Sequence, residues 1–182
     1  MKATGIVRRI DDLGRVVVPK EIRRTLRIRE GDPLEIFTDR EGEIILKKYS
    51  PMGELSLFAK QYAEALAQNI GHTISITDRD LHIAVAGPAK KELTGKPISK
   101  ELENAINDRK NIIAVKDEKE FISLTKDGQD SFGAEVIYTI ISEGDAIGAV
   151  IIAGKDEKVR MTEVEQKLAA AAASFLGRQL EQ

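Results

Sequence analysis

The stretch LGRVVVPKEIRRTLRIREGDPLEIF, residues 13–37, contains an apolar segment, a proline and a run of arginines. Pro19 suits the first position of a helix, because its ring presets φ and its missing N–H would have no partner there. Gly31-Asp32-Pro33 is a stop signal for that helix. Ile22 and Leu26 stand four residues apart and share one face, whereas the arginines point elsewhere. The stretch therefore predicts one short helix with a narrow apolar face and arginine-rich surroundings.

Short strands are expected on both sides of this helix. Segments 6–10, 15–18, 34–39 and 43–49 have strand-type composition and are separated by turn-forming residues. About 50 residues with one helix of two or three turns bury little apolar surface in a single copy. We therefore predict an obligate N-terminal dimer in which two chains interleave their strands.

Positive charge is concentrated at the start of the chain. Residues 1–30 hold seven arginines and two lysines against four acidic side chains, whereas 51–182 hold four arginines and twelve lysines against twenty-one acidic side chains. The whole chain has a formal net charge of -2, which conceals this asymmetry. The planar guanidinium of arginine is a better partner than lysine for phosphate oxygens and guanine edges. The pattern predicts a basic region that binds nucleic acid, followed by an acidic region.

Length and composition limit the classes of protein to which the chain can belong. With 182 residues, 42% hydrophobic and 32% charged, the chain suits one or two folded domains. Its apolar runs are far shorter than the roughly 20 residues that span a bilayer, so we expect a cytoplasmic protein. The absence of cysteine excludes disulfides, thiolate nucleophiles and thiolate metal sites.

A domain boundary is predicted near residue 50. Ser50-Pro51-Met52-Gly53 has the composition of a linker, because proline and glycine interrupt regular structure. We therefore assign residues 1–50 to an N-terminal domain, 51–55 to the linker and 56–182 to a second domain.

Helices and strands alternate in the second domain. Helices are predicted at 54–69 and 99–109, the latter with Ser99 as N-cap, and a third opens at a capping box of Thr162 and Glu165. Strands are predicted at 72–77, 82–86, 112–115, 121–124, 134–142 and 146–154. Because several strands follow one another through short turns, we expect an antiparallel sheet with helices packed on it.

The N-terminal residues resemble a known family. TGIVRRIDDLGRVVVPKEIRRTLRIREGDPLEIF and the later EIILKKY are similar to the AbrB-type DNA-binding domain over almost all of residues 1–50. The resemblance implies a mainly-β swapped-hairpin dimer with one short helix that binds double-stranded DNA. The DNA-contacting arginines of the family match Arg8, Arg15, Arg23 and Arg24, and Arg9 occupies a position that is basic in the family.

Taken together with the longer C-terminal part, the resemblance of the whole chain also implies a function. We expect a nucleoid-associated transcription regulator of sporulation genes that both activates and represses in the developing spore. Relatives favour A·T-rich, loosely defined sites, so DNA shape and deformability would contribute more than a rigid base code.

The second domain resembles a GAF sensor domain through ITDRDLHIAVAG and GAEVIYTIISEGDAIGAVIIAG. The resemblance implies an α+β fold with an antiparallel sheet. Two alternatives remain open: the domain binds a small-molecule effector under the 99–109 helix, or it is an oligomerisation module. A fold that hosts many ligands does not identify one, so we expect no particular cofactor.

Two helices of the second domain carry narrow apolar stripes. Packing onto the sheet is the ordinary explanation for such a stripe. The narrow spacing and the run of alanines at 169–173 favour helices from two subunits meeting in a bundle. Together with the N-terminal dimer, this predicts a homotetramer whose contacts include Leu55, Phe58, Tyr62, Val164, Leu168, Ala171 and Phe175.

Metal binding and catalysis have little support in the sequence. Asp78, Asp80 and His82 could be ligands, but Asp-Arg-Asp between two strands is typical of a turn, so we predict no metal site. Residues 148–155 have the wrong spacing for a phosphate-binding loop. We expect no enzyme and no cofactor. The remaining alternative is an antitoxin, because swapped-hairpin domains also occur there, followed by a disordered tail that wraps a toxin.

Overall fold

The chain divides into two units, which we call the head unit (Met1–Tyr49) and the body unit (Ser50–Gln182). The computed structural model describes residues 5–128, 131–156 and 158–181.

The head unit contains one helix and one hairpin. Its elements are α1 (Lys20–Leu26), β1 (Leu34–Thr38) and β2 (Ile44–Lys48). The two strands pair antiparallel with Ile36 opposite Leu46. The helix and the hairpin were expected at these positions, and both are confirmed.

The helix α1 ends earlier than the predicted stop at Gly31. Arg27 adopts the left-handed conformation with φ 54° and is the C-cap. The N–H of Ile28 then donates to the carbonyl of Arg23 at 2.8 Å, and the N–H of Arg27 donates to the carbonyl of Arg24. These bonds satisfy carbonyls that the helix end would otherwise leave open, so the chain turns away at this point.

The two strands predicted at 6–10 and 15–18 do not form within this chain. Neither segment belongs to a strand, and the turn between them closes with a hydrogen bond from the N–H of Asp11 to the carbonyl of Arg15. These strands were predicted to interleave with those of a second chain, and that pairing stays a prediction. Within one chain, the sheet of the head unit consists of β1 and β2.

One ion pair connects the hairpin of the head unit to the region after α1. The Nζ of Lys48 lies 3.0 Å from Oδ2 of Asp32 and 3.0 Å from the carbonyl oxygen of Arg27. The N–H of Arg29 also donates to Oδ2 of Asp32 at 2.8 Å. Burial alone would raise the pKa of Asp32, but the hydrogen bonds from Arg29 and Lys48 outweigh it and lower that pKa.

The body unit is built on a five-stranded antiparallel sheet. Its strand order is β4-β3-β7-β6-β5, and every neighbouring pair is antiparallel. The strands are β3 (Thr73–Thr77), β4 (His82–Ala86), β5 (Ile112–Val115), β6 (Ala134–Ser142) and β7 (Asp145–Gly154). This confirms the predicted α+β fold with an antiparallel sheet.

Helices cover both faces of this sheet. They are α2 (Pro51–Glu54), α3 (Ser56–Ile70), α4 (Lys90–Leu93), α5 (Lys100–Asn107) and α6 (Glu163–Gln179). Buried side chains of α3 and α6 pack on one face, against Ile74, Ile76 and Val150 among others. Those of α4 and α5 pack on the opposite face. Ser99 caps α5 as predicted, accepting a hydrogen bond from the N–H of Leu102 at 2.9 Å.

The predicted capping box opens α6. The N–H of Thr162 donates to Oε2 of Glu165 at 2.7 Å, and the hydroxyl of Thr162 accepts from the N–H of Val164 at 3.2 Å. Small residues let the helix approach the sheet closely. A Cβ on Gly177 would lie 2.0 Å from the carbonyl oxygen of Ile141 at the end of β6, so only glycine fits at this contact.

Two further expectations for the body unit differ from the structure. Segment 121–124 is not a strand: the carbonyl of Leu124 accepts from the N–H of Ser99 at 3.1 Å and faces a ring nitrogen of His82, so its backbone bonds to neighbouring loops and side chains. Residues 51–55, expected as a linker, contain the helical turn α2. The reason is that Met52 is fully buried in the apolar layer under α3 and α6.

Replacing Gly177 by alanine should destabilise the body unit. The new methyl group would displace α6 from β6, and overpacking of this kind typically costs about 1–3 kcal/mol. Urea unfolding of the full chain measures the effect, with the exposed Ser174→Ala of the same helix as a control that changes stability by less than about 0.5 kcal/mol. An unchanged midpoint for Gly177→Ala would contradict the close approach.

Replacing Asp32 by asparagine should remove part of the pH dependence of the head unit. A carboxylate whose pKa is lowered by folding stabilises the folded state above its unfolded pKa, and this contribution disappears as pH falls through the folded pKa. Parent and variant should therefore differ in stability at pH 7, and the difference should be smaller at pH 3, below the unfolded pKa of about 3.9. Hydrogen exchange of residues 20–48 in the full chain measures this, with Asp12→Asn as the control. An equal difference at both pH values would contradict the ion-pair account.

Candidate nucleic-acid interface

The five arginines predicted to contact DNA all lie in the head unit, on three different segments. Arg8 and Arg9 are exposed in the extended segment before the turn, and Arg15 is exposed immediately after it. Arg23 and Arg24 lie in the last turn of α1, the first half-buried and the second exposed. Cations at a helix C-terminus complement its dipole, so these two positions also favour the helix.

The turn at residues 11–14 holds Arg15 through a carboxylate. Oδ1 of Asp11 accepts hydrogen bonds from the N–H groups of Leu13 at 3.0 Å and Arg15 at 2.8 Å, and its Oδ2 lies 2.8 Å from Nε of Arg15. The hydrogen bond from the Arg15 N–H, followed by that from its side chain, lowers the pKa of Asp11. Gly14 has φ 77°, a conformation that favours glycine.

Sequence reasoning identified the arginines but missed the residues that hold their segments. Asp11 orders the turn before Arg15, and Lys48 bonds to the carbonyl at the end of α1. The turn at residues 11–14 was predicted from its composition, but the bond from Asp11 to the side chain of Arg15 was not. No local pattern links Lys48 to Arg27, because the contact spans 21 residues.

The head unit exposes an unusual amount of apolar surface. Val7 is 87% exposed and Val17 71% exposed, although such side chains are usually buried. The other exposed apolar side chains of this unit are Ile6, Ile10, Leu13, Val16, Leu26, Ile36, Phe37, Ile44 and Leu46. Exposure of so many large apolar side chains in a unit of this size indicates that a partner covers some of them.

The body unit has an exposed apolar surface on α3 and α6. The rings of Phe58, Tyr62 and Phe175 form a cluster with centroid distances of 6.5, 5.5 and 5.7 Å. We call the residues of the two predicted stripes, which include this cluster, the helix patch. Its members are Leu55, Phe58, Tyr62, Val164, Leu168, Ala171 and Phe175.

The helix patch lies largely beside the sheet-facing side of the helices. The residues of α6 that are buried against the sheet include Ala169, Ala172 and Leu176, which are not in the predicted stripe. Val164 remains 58% exposed, and Ala171 is also exposed. Leu55, Tyr62 and Leu168 are partly buried and pack against the core. The exposed members of the stripe remain available for another contact, namely Phe58, Val164, Ala171 and Phe175.

A buried polar group lies on the opposite face of the sheet. Nδ1 of His82 is 2.7 Å from Oγ of Ser75, and its Nε2 is 3.0 Å from the carbonyl oxygen of Leu124. His82 is fully buried, so these contacts satisfy both ring nitrogens within the core. Nearby, Oδ1 of Asp78 accepts from the N–H groups of Asp80 and Leu81 at 2.7 Å each, which is the turn that the sequence predicted.

Two other features bear on ligand binding. The carboxylates of Asp39, Glu41 and Glu43 lie within 4.8 Å of one another at the hairpin turn of the head unit. Oδ1 of Asp39 accepts from the N–H groups of the other two, so this carboxylate orders the turn. In the body unit, an open groove between β6 and α6 is lined by Asn111, Tyr138, Thr139, Ile141, Ala170, Ala173, Ser174, Arg178 and Glu181.

Within the ranges described, no helix combines the length and apolar character needed to cross a membrane.

Two family models match the chain in adjoining regions. Residues 54–181 match the model for the stage V sporulation protein T C-terminal, transcription factor. Residues 7–54 match the model for antidote-toxin recognition MazE, bacterial antitoxin.

Curated relatives extend this similarity. Stage V sporulation protein T of Bacillus subtilis is 54% identical over 182 residues, which is 100% of both chains. The transition state regulatory protein AbrB of the same organism is 67% identical over 51 residues, covering 28% of this chain and 52% of that protein. This level of identity confirms the predicted AbrB-like head.

A solved structure supports the fold of the body unit. The cofactor-binding GAF domain of the nutrient sensor CodY from Clostridium difficile is 10% identical, with a TM-score of 0.52, and the match covers 66% of this chain and 83% of that one. At this identity the likeness concerns the fold alone and confirms the predicted GAF-like body. The matched family is one of transcription factors rather than enzymes. From these matches, the chain belongs to the stage V sporulation protein T family.

Proposed function

We propose that this protein is a DNA-binding transcription regulator of spore formation, in which the arginines of the head unit contact the duplex. One observation carries the proposal: Arg8, Arg9, Arg15 and Arg24 are exposed on a segment that is 67% identical to a transition state regulator. Arg23, half-buried beside Arg24, completes the set. The family match over the body unit and the full-length similarity support the assignment to sporulation.

The binding mechanism follows from the chemistry of these side chains. Guanidinium groups neutralise phosphates and release counterions, which supplies affinity that is independent of sequence and falls with added salt. Phosphate contacts set the position of the protein on the duplex, while sequence preference comes from base edges or DNA shape. We propose that A·T-rich sites are preferred because the narrow minor groove and deformability of such DNA are recognised as shape.

Self-association is part of the proposed mechanism. The exposed apolar side chains of the head unit would be covered if segments 6–10 and 15–18 paired with the corresponding segments of a second chain. Such a dimer would double the number of arginines on one DNA-binding surface.

We propose that the helix patch then joins two dimers into a tetramer. Linking two DNA-binding surfaces raises the effective concentration of the second surface once the first has bound. Binding at two sites on one DNA could block a promoter or assist at one, according to where the sites lie. The same assembly is therefore compatible with both repression and activation.

We give ligand sensing by the body unit less weight than assembly. The space under α5, where the sequence suggested an effector site, is filled by Leu102, Ile106 and Leu124, each at most 1% exposed. A ligand that entered there would have to displace at least one of these side chains. A small-molecule effector therefore remains an addition to the proposal, without an assigned chemistry.

The antitoxin alternative has one observation in its favour, the match of residues 7–54 to the MazE model. An antitoxin of this kind would continue with a disordered tail that folds on its toxin. Here the next residues form the body unit, with Met52 already in its apolar core. We therefore favour the transcription regulator.

Replacing Arg24 by alanine should weaken DNA binding by the full chain. Loss of a phosphate contact lowers affinity on all sequences and reduces the slope of log K against log salt by about 1 per copy. Fluorescence anisotropy of a labelled A·T-rich duplex at several salt concentrations measures both. Arg160→Ala, an exposed arginine of the body unit, is the matched control. An unchanged slope for Arg24→Ala would argue against a phosphate contact.

Replacing Phe175 by aspartate should halve the mass of the assembly. A carboxylate in the helix patch would have to lose its hydration in an apolar contact, which is unfavourable. Light scattering after gel filtration measures the mass, and circular dichroism checks that the body unit is folded. Ile113→Asp, on an exposed side chain of β5 outside the patch, should leave the mass unchanged. A folded Phe175→Asp variant of unaltered mass would contradict the proposed tetramer contact.

A further inference from the structure

Asp11 is a negative charge between Arg9 and Arg15, in a segment that we propose contacts DNA. By charge alone it should oppose binding, because a carboxylate repels phosphate. Its geometry indicates another role. Both oxygens bond to groups in or beside the turn, Oδ1 to the N–H groups of Leu13 and Arg15, and Oδ2 to the side chain of Arg15.

These bonds restrict the motion of an exposed arginine. The Arg15 side chain is 70% exposed, so without a partner it would sample many rotamers. Two backbone N–H groups hold the carboxylate of Asp11, and this fixed carboxylate in turn holds Nε of Arg15. The two terminal Nη groups of the guanidinium do not take part in this contact. They remain able to donate to a pair of acceptors, such as two phosphate oxygens or the O6 and N7 of guanine.

We propose that Asp11 is a positioning residue that orients Arg15 for a bidentate contact with DNA. This inference rests on the proposed function, because it requires that Arg15 contacts DNA. Orienting the side chain before binding reduces the conformational entropy that binding would otherwise cost. The gain outweighs the repulsion between the carboxylate and the duplex.

The two possible roles of Asp11 predict opposite effects of one substitution on DNA affinity. Asp11→Asn keeps an oxygen that can accept from the two backbone N–H groups, but it removes the charge and sets an amide NH₂ against the Nε–H of Arg15. If Asp11 acts only as a charge, the variant should bind DNA more tightly. If Asp11 positions Arg15, the variant should bind about three- to tenfold more weakly. Asp12→Asn removes the same charge from the neighbouring residue and is the matched control, expected to bind as tightly as the parent or slightly more.

Repeating the Asp11→Asn substitution in the Arg15→Ala chain distinguishes a positioning role of Asp11 from stabilisation of the turn. In the Arg15→Ala chain there is no guanidinium to orient, so adding Asp11→Asn should no longer weaken binding and should slightly strengthen it. If Asp11 merely stabilised the turn, the substitution would weaken binding in both backgrounds. Anisotropy titrations at several salt concentrations give this comparison for four full-length chains: the parent, Asp11→Asn, Arg15→Ala and the double variant.

The same titrations distinguish failure of this inference from failure of the proposed function. If Arg15→Ala binds like the parent, Arg15 does not contact DNA, and both the contact and the inference fail. If Arg15→Ala binds more weakly but Asp11→Asn does not, only the inference fails. A duplex containing 7-deazaguanine then identifies the acceptors: loss of the Arg15 effect indicates guanine N7, whereas a retained effect with a reduced salt slope indicates phosphate.

Discussion

The head unit has more apolar side-chain surface than a single copy can bury. One helix of seven residues and a two-stranded hairpin leave Val7, Val17 and Ile36 in contact with water. A unit of this size gains little from burial unless another chain contributes. The same constraint explains why short arginine-bearing segments can be displayed there, because the segments that carry them need not be enclosed by their own chain.

The body unit, in contrast, buries most of its apolar core within one chain. Its sheet is covered on both faces, and the helix α6 approaches it mainly through alanines and Gly177, with Leu176 as a large side chain buried among them. Two bulky apolar residues of that helix, Phe175 and Val164, lie on its solvent-exposed side. Close packing inside the unit and an apolar surface outside it thus arise from one distribution of small and large residues along one helix.

The sequence predicted the local elements better than the contacts between them. The capping box at Thr162, the cap at Ser99 and the strands of the body sheet carry their signals within a few residues, and the structure has them. The strands at 6–10 and 15–18 are not formed in one chain, because the partners predicted for them belong to a second chain. The same holds for the candidate site. Its arginines could be predicted from composition, whereas the hydrogen bond from Lys48 to the end of α1 could not, because it depends on the fold.

The aromatic cluster on α3 and α6 also makes the molecule convenient for optical spectroscopy. The chain has three tyrosines and no tryptophan. Tyr49 follows β2, Tyr138 lines the groove beside α6, and Tyr62 is the member of the cluster. Each tyrosine therefore reports on a different region, and a single tryptophan introduced anywhere would be the sole long-wavelength emitter of the protein.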